Sequence, residues 1–164
     1  MNSLKIEPAK QTDVPELLAM IIELAEFERL AHQVKATEEL FQAALFGSQP
    51  VAMALMARVD DAMAGYAIYY RTFSTFVGRP GIFLEDIYVR PPFRKGGVGR
   101  ALLEEVARAG QRLGGGRLEW NALDWNENAL KFYRGLGATV MEDWVLLRMN
   151  EPDVTAMLKQ KSAD

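Results

Sequence analysis

The stretch of sequence that decides the fold spans residues 82–103 and reads IFLEDIYVRPPFRKGGVGRALL. Its first eight residues are mostly apolar, aromatic or β-branched, which predicts a strand from Ile82 to Val89, and Pro91-Pro92 ends that strand. A glycine-rich turn follows. Apolar residues then recur with a helical period, which predicts a helix from about Gly97 to Leu113.

Further strands and helices are predicted on both sides of this centre. Asp60-Asp61 predicts a tight turn between two strands, and Thr37 is a suitable N-cap for a helix. The remaining predicted elements are a strand at 4–7, helices starting near 13 and 37, strands at 51–59, 64–71, 117–123 and 144–149, and helices at 126–136 and 151–161. Helices alternating with strands in this way indicate an α/β or α+β fold around a mixed sheet. The length of 164 residues predicts one domain over 1–164.

Composition excludes several classes of protein. The absence of cysteine excludes disulfides, cysteine-ligated metals and a cysteine nucleophile, and the single histidine, His32, argues against a catalytic triad or a histidine-rich metal site. We therefore expect no metal. The net charge of −3 argues against nucleic-acid binding and is compatible with a cationic substrate. No apolar run approaches the roughly 20 residues of a membrane span and no secretory signal is visible, so we expect a cytoplasmic protein with no membrane partner.

The glycine-rich segment Arg94-Lys95-Gly96-Gly97-Val98-Gly99 lies between the predicted central strand and the helix after it. Glycines let backbone N–H groups approach a ligand closely, and the helix N-terminus adds partial positive charge. Arg94, Lys95 and Arg100 add full charges, which together predict a site for a pyrophosphate. A glycine-rich turn without a ligand is the alternative. The spacing matches neither a P-loop nor a Rossmann fingerprint.

Two motifs in sequence order resemble those of the GCN5-related N-acetyltransferase (GNAT) family. The first is Arg-x-x-Gly-x-Gly at a helix start, after the strand that ends at Val89. The second is residues 123–138, LDWNENALKFYRGLGA. Two motifs in this order, separated by a helix and a strand, are far more specific than either alone. The resemblance implies acetyl-CoA as co-substrate and a mixed sheet, splayed near its centre and flanked by helices.

The sequence also resembles the diamine (spermidine/spermine) acetyltransferase branch of that family, and this resemblance runs from the first strand to Trp144. Its marks are the segments IELAEFE at 22–28, AIYY at 67–70, FLEDIYV at 83–89 and DWN at 124–126. It implies acetylation of a primary amine of a small cationic diamine or polyamine, and a homodimer with part of the substrate site near the interface.

Two departures from the branch pattern leave the substrate open. Phe27 stands where a tyrosine is common, and the loop 71–78 lacks an acid where diamine enzymes often carry one, with Ser74 the nearest equivalent. A long polycation would find fewer anchors here. A lysine-like or thialysine-like amino acid, a short diamine or another small amine is therefore an alternative substrate. A non-catalytic acyl-CoA-binding module is the alternative from another class of protein.

The resemblance further implies a role for individual residues. Tyr133 would be the general acid, and Glu85 would receive the proton of the substrate ammonium through water. The residues implied to bind acetyl-CoA are Ile87, Tyr88, Val89, Arg94, Lys95, Gly96, Gly97, Val98, Gly99, Arg100, Asn126, Glu127, Asn128 and Ala129. The residues implied to line the amine site are Phe27, Glu28, Glu85, Glu142, Asp143 and Trp144.

The residue types themselves support a role for the acidic pair Glu85-Asp86. These two residues interrupt an otherwise apolar strand, where an unpaired carboxylate is costly, and costly charges concentrate at functional sites. Pairing with a neighbouring arginine is the structural alternative. Strand alternation predicts that Asp86 faces the opposite side of the sheet from Glu85, which favours Glu85 as the functional member of the pair.

Overall fold

The computed structural model describes residues 3–160, which divide into two compact units, the first ending at Asn121 and the second beginning at Ala122. The prediction of one domain over 1–164 stays a prediction. The first unit contains β1 (Leu4–Pro8), α1 (Val14–Phe27), α2 (Glu38–Phe46), β2 (Met53–Val59), β3 (Ala62–Ser74), β4 (Arg79–Val89), α3 (Val98–Arg112) and β5 (Leu118–Trp120). The second unit contains α4 (Glu127–Gly135) and α5 (Glu151–Gln160).

The five strands form one mixed sheet in the order β1-β2-β3-β4-β5. Strands β1 to β4 pair antiparallel, and β5 joins β4 in parallel. The predicted Asp60-Asp61 turn is confirmed, because both residues adopt positive φ (49° and 66°) between β2 and β3, as a two-residue hairpin turn requires. The predicted mixed α/β sheet flanked by helices is thus confirmed.

The two faces of the sheet are covered by different helices. Helices α1 and α2 cover one face, where Leu17 and Met20 pack in a core cluster with Tyr66 and Tyr88 of the sheet. On the other face, Gly110 lets the backbone of α3 approach β4 closely, since a Cβ there would lie 3.2 Å from Ile82. A fully buried side chain of the size of Leu17 or Met20 contributes about 1.5–3 kcal/mol to stability. The packing of Leu17 and Met20 fixes α1 against the residues of β3 and β4 that form the site described below.

Strand β4 changes character at Glu85. Tyr69 of β3 lies opposite Leu84 and Ile68 lies opposite Asp86, so Glu85 has no partner and forms a β-bulge. On its other edge, β4 pairs with β5 only from Ile82 to Leu84. From the bulge to Val89 this edge of β4 has no strand beside it within the first unit, and this is the predicted splay of the sheet.

The second unit corrects one strand prediction. Helix α4 is confirmed, with Asn126 as N-cap, and the helix predicted near the C-terminus corresponds to α5 in the described residues. The strand predicted at 144–149 is wrong, because no described strand includes a residue after Trp120. The apolar pattern of 144–149 favours a strand, but a strand forms only where a neighbour receives its backbone hydrogen bonds. Among the described residues, no helix is long and apolar enough to cross a membrane.

Candidate active site

The turn before α3 has the geometry of an anion site. Gly97 is the N-cap of α3 at φ 83°, and no side chain caps the helix. Lys95 also adopts positive φ (64°). Uncapped first-turn N–H groups, next to backbone that alternates into the left-handed region, form a concavity that favours negative charge. A Cβ on Gly97 would meet nothing within 4 Å, so the backbone on this side is open to a ligand. The predicted pyrophosphate fits here.

Two of the three cations predicted to hold the pyrophosphate are engaged elsewhere. The Nε of Arg94 donates to the carbonyl oxygen of Val89 at 2.8 Å, and its guanidinium lies over the rings of Phe27 (5.5 Å) and Tyr88 (5.7 Å). Arg100 pairs with Glu104 at 2.8 Å. Arg94 therefore places its charge towards α1 and β4, while Lys95 is exposed on the loop itself.

Acidic side chains from α1 and β4 gather on the face covered by α1. Asp86 follows the bulge on this face, two residues before Tyr88 of the core cluster. Burial, with the nearby charges of Glu85 and Glu28 adding to it, raises the pKa of Asp86 to about 6. Burial also raises the pKa of Glu28. The structure thus brings together Glu28 and Asp86 in partly desolvated surroundings next to the Phe27–Arg94 contact.

Glu85 lies differently from what the sequence predicts. It is exposed at the bulge, so the cost of burying a carboxylate applies to Asp86 and not to Glu85. The alternation argument is also wrong here, because the bulge interrupts the two-residue period. The charge of Glu85 acts on two groups of the α1 side, since it raises the pKa of Asp86 and that of Tyr70. Its role in proton transfer stays a prediction.

Tyr66 is a buried polar residue next to these acids that the sequence analysis did not single out. Its side chain is fully buried, and its hydroxyl has no hydrogen-bond partner among the described residues. Burial raises the pKa of Tyr66, and the charges of Asp86 and Glu28 raise it further. A tyrosine in a buried strand is ordinarily a core residue. No sequence signal distinguishes it, because its position opposite Tyr88 and beside the Ile68–Asp86 pair depends on the register of β3 with β4.

Arg90, also missed by the sequence analysis, holds α1 against the end of β4. Its guanidinium pairs with Glu23 at 2.7 Å and with Glu16 at 2.6 Å, both on α1. The hydrogen bond from Arg90 is the main reason why the pKa of Glu23 is lowered. Because Glu28 follows α1 directly, this clamp also sets the position of Glu28 relative to β4.

Three further residues predicted to bind acetyl-CoA lie around the end of β4, and their roles stay predictions. Ile87 and Val89 occupy the edge of β4 that β5 leaves open. Gly99 lies close to Val89, since a Cβ there would be 3.6 Å from a valine methyl. Among the described residues, no group of three or more histidine or acidic side chains is arranged to hold a metal ion.

Ser74 does not serve as a substrate anchor near Asp86. Its hydroxyl accepts a hydrogen bond from the Val77 N–H at 3.3 Å and so closes the β3–β4 turn. It lies six positions along β3 from Ile68, the residue opposite Asp86. At about 3.3 Å per residue this is a separation of about 20 Å.

In the second unit, the predicted residues belong to α4 and the segment after it. Burial raises the pKa of Tyr133. The side-chain oxygen of Asn126 accepts from the Ala129 N–H at 3.2 Å and caps α4, with Glu127 and Asn128 exposed in the first turn. Glu142, Asp143 and Trp144 are exposed. The roles of all these residues stay predictions.

Comparison with known proteins is consistent with this geometry. A family model described as the acetyltransferase (GNAT) family matches residues 17–138. A thialysine N-epsilon-acetyltransferase of Sus scrofa is 40% identical over 155 residues, which covers 88% of this chain and 91% of that protein. An L-ornithine N5-acetyltransferase of Arabidopsis thaliana is 29% identical and covers 94% of this chain and 88% of that protein. An integron cassette protein of V. cholerae has the same fold, with a TM-score of 0.79 at 22% identity over 96% of this chain and 98% of that one.

The chain therefore belongs to the GNAT acetyltransferase family. It is an acetyl-CoA-dependent N-acetyltransferase, which confirms the predicted class of enzyme.

Proposed function

We propose that this enzyme acetylates the terminal side-chain amine of a lysine-like amino acid, with thialysine as the representative substrate. The observation that carries the proposal is the 40% identity to a thialysine N-epsilon-acetyltransferase across nearly the full length of both chains. The ornithine enzyme also has, by its name, an amino acid with a terminal amine as its substrate. These relatives favour the amino-acid alternative over the diamine or polyamine reading of the sequence.

The charges around Asp86 support an amino acid over a long polyamine. Glu28 and Asp86 attract an ammonium group, while the guanidinium of Arg94 lies close by over Phe27 and Tyr88. A polyamine carries only positive charges and would be repelled by Arg94. An amino acid also brings a carboxylate, which an arginine can bind through two parallel hydrogen bonds. Ser74, placed far along β3, offers a long polyamine no anion.

The mechanism follows from the chemistry of the two partners. The loop from Lys95 to Arg100 holds the pyrophosphate, and the main chain from Ile87 to Val89 borders the thioester, which acetyl-CoA supplies. A free amine near pKa 10.4 is almost wholly protonated at neutral pH, and only its neutral form attacks the thioester. The site must therefore bind an ammonium and remove a proton before attack.

Two further groups complete the proposed mechanism. The Val89 N–H stabilises the charge that develops on the carbonyl oxygen. Tyr133, whose pKa burial raises, protonates the departing thiolate. Because the chain contains no cysteine to form an acyl-enzyme, we expect direct transfer of the acetyl group to the amine in a ternary complex. This mechanism works equally in a monomer and in the predicted homodimer.

The test is the specificity constant kcat/KM, measured by thiol release, for thialysine, lysine, ornithine, putrescine, spermidine and spermine. Thialysine or lysine should be used at least as well as spermine, and initial-rate plots should intersect. A preference for spermine of tenfold or more over every amino acid would contradict the proposed substrate class. Parallel lines in the initial-rate plots would contradict direct transfer.

A further inference from the structure

The hydroxyl of Tyr66 is the least expected feature of the first unit. It is fully buried and lacks a partner among the described residues, although a buried polar group without a hydrogen bond is strongly unfavourable. The charges that act on it come from Asp86, Glu28 and Glu23. A buried hydroxyl without a partner, within the electrostatic influence of carboxylates, marks a place where an ammonium or a water can complete the hydrogen bonds.

We propose that Asp86, with the Tyr66 hydroxyl on the same face of the sheet, accepts the proton of the substrate ammonium, while Glu85 acts only through its charge. Tyr66 lies opposite Tyr88 and the next pair on this face is Ile68–Asp86, so the two groups are neighbours across the β3–β4 ladder. This inference deepens the proposed function. It rests on acetyl transfer to an amine and is independent of which amine is used.

Burial separates Asp86 from Glu85 as candidates. Glu85 projects from the bulge into solvent, where water competes for every contact with the substrate. Asp86 is mostly removed from water, and its pKa of about 6 is much nearer to that of an amine than the ordinary 3.8. A base with a pKa close to the working pH transfers protons most effectively while remaining largely unprotonated at pH 7. The bulge makes this possible, because it turns Asp86 towards α1.

The protons balance as follows. The substrate ammonium gives one proton to the Asp86 carboxylate and becomes a neutral amine. Its nitrogen forms a bond to the thioester carbon, and the carbon–sulfur bond breaks. The second proton, lost from the nitrogen as the amide forms, is balanced by the proton taken up by the leaving thiolate. Asp86 then releases its proton to solvent through its partly exposed edge.

The groups that face Asp86 set the expected pH dependence. Glu85 on β4 and Glu28 after α1 both raise its pKa by repulsion, and burial contributes most. Tyr66 on β3 is the neutral group of the set at working pH, because its own pKa is raised well above 10. The base must be unprotonated to act. We therefore expect kcat/KM to fall as the pH drops below about 6.

The experiment compares the pH profile of kcat/KM for the full-length wild type and three variants. Asp86→Asn should lower kcat/KM at pH 7.5 by about 100-fold or more and abolish the acidic limb. Glu85→Gln should retain the limb and move it to lower pH, because one repelling charge is removed. Glu26→Gln is the charge-matched control, because Glu26 is an exposed acid on helix α1. Its kcat/KM should remain within about twofold of the wild-type value. A limb that persists in Asp86→Asn, or that disappears in Glu85→Gln, would overturn the assignment.

Tyr66→Phe keeps the inference testable should Asp86→Asn fail to fold. Removing an unpartnered buried hydroxyl should leave the melting temperature equal or higher, while losing one hydrogen bond to the reacting amine should lower kcat/KM about fivefold to tenfold. A purely structural role of Tyr66 would not lower kcat/KM while leaving the melting temperature equal or higher. Wild-type kinetics in Tyr66→Phe would overturn the role of Tyr66. The fastest amine of the panel is used throughout, so a polyamine preference would contradict only the proposed substrate.

Discussion

The cofactor loop (Arg94 to Arg100) and the acid cluster (Glu28, Tyr66, Asp86) lie near the same end of β4 but handle charge in opposite ways. The cofactor loop presents positive potential mainly through backbone N–H groups, a left-handed Gly97 and the start of α3. The acid cluster presents negative charge through Asp86 of β4 and Glu28 directly after α1, with the neutral Tyr66 of β3 on the same face. Arg94 joins the two regions, because it starts the loop and lies over Phe27 and Tyr88.

The difference shows how each region can fail. A backbone site depends on conformation, so it tolerates most side-chain changes and is damaged where a residue cannot adopt the required φ. A side-chain site depends on three elements keeping their register and packing. Point substitutions should therefore separate the two regions cleanly, with one class changing acetyl-CoA affinity and the other changing amine kinetics and stability.

The largest effect is expected outside both regions, at Tyr133. Tyr133→Phe should lower kcat by roughly 10²- to 10³-fold with little change in acetyl-CoA affinity, since the general acid acts only after binding. Burial raises the pKa of Tyr133, so its hydroxyl gives up a proton only to a strong base such as the departing thiolate. Rapid-quench or steady-state kinetics with a folded variant measures this. A wild-type kcat would assign Tyr133 to packing and leave the first unit with all the proton chemistry.

The next effect tests whether the loop is a backbone site. Gly97→Asp should weaken acetyl-CoA binding by about 100-fold, because it adds a negative charge beside the pyrophosphate and strains a residue at φ 83°. Gly97→Asn is the matched control, since asparagine meets the same backbone strain at this φ but is neutral, and it should lose no more than about tenfold. Calorimetry on both variants measures the affinities. Equal affinities for Gly97→Asp and wild type would show that the pyrophosphate binds elsewhere.

The same contrast explains what the sequence could predict. The loop, α3 and the β4 strand are encoded in consecutive residues, so their positions followed from local patterns. The bulge at Glu85 could not be predicted, because it depends on how β4 pairs with Ile68 and Tyr69 of β3. The expectation that Glu85 carries the buried charge, and the omission of Tyr66, follow from that missing pairing. Arg90 was omitted because its ion pairs with α1 join residues far apart in the sequence. The strand predicted at 144–149 failed for a related reason, since apolar pattern alone does not supply a partner strand.

A third, smaller effect concerns the stability cost of the acid cluster. The pKa of Asp86 is raised from 3.8 to about 6, so folding favours its protonated form. The folded state binds more protons than the unfolded state between those values, and stability therefore falls as pH rises from about 4 to about 6. Asp86→Asn should be more stable than wild type by about 1–3 kcal/mol at pH 8 and nearly equal at pH 4. Urea unfolding at both pH values measures this. An Asp86→Asn variant less stable at pH 8 would mean that Asp86 is paired.

The smallest effect tests whether the acid cluster depends on the docking of α1. Arg90→Gln removes the guanidinium that binds Glu16 and Glu23, and because these groups are partly exposed the loss should be about 1 kcal/mol, or about 2–4 °C in Tm. Arg90 lowers the pKa of Glu23, so the contribution of this pair is present above about pH 4.5 and is lost as the pH falls through the lowered pKa, where the stabilities of the two proteins should converge. Arg108→Gln, which breaks exposed ion pairs on α3, is the control and should cost less than about 0.5 kcal/mol of stability.

Because Glu28 follows α1, Arg90→Gln should also raise the KM for the amine while leaving acetyl-CoA affinity unchanged. Equal weakening of both substrates would mean that Arg90 supports the whole end of β4, and that the two regions are not independent.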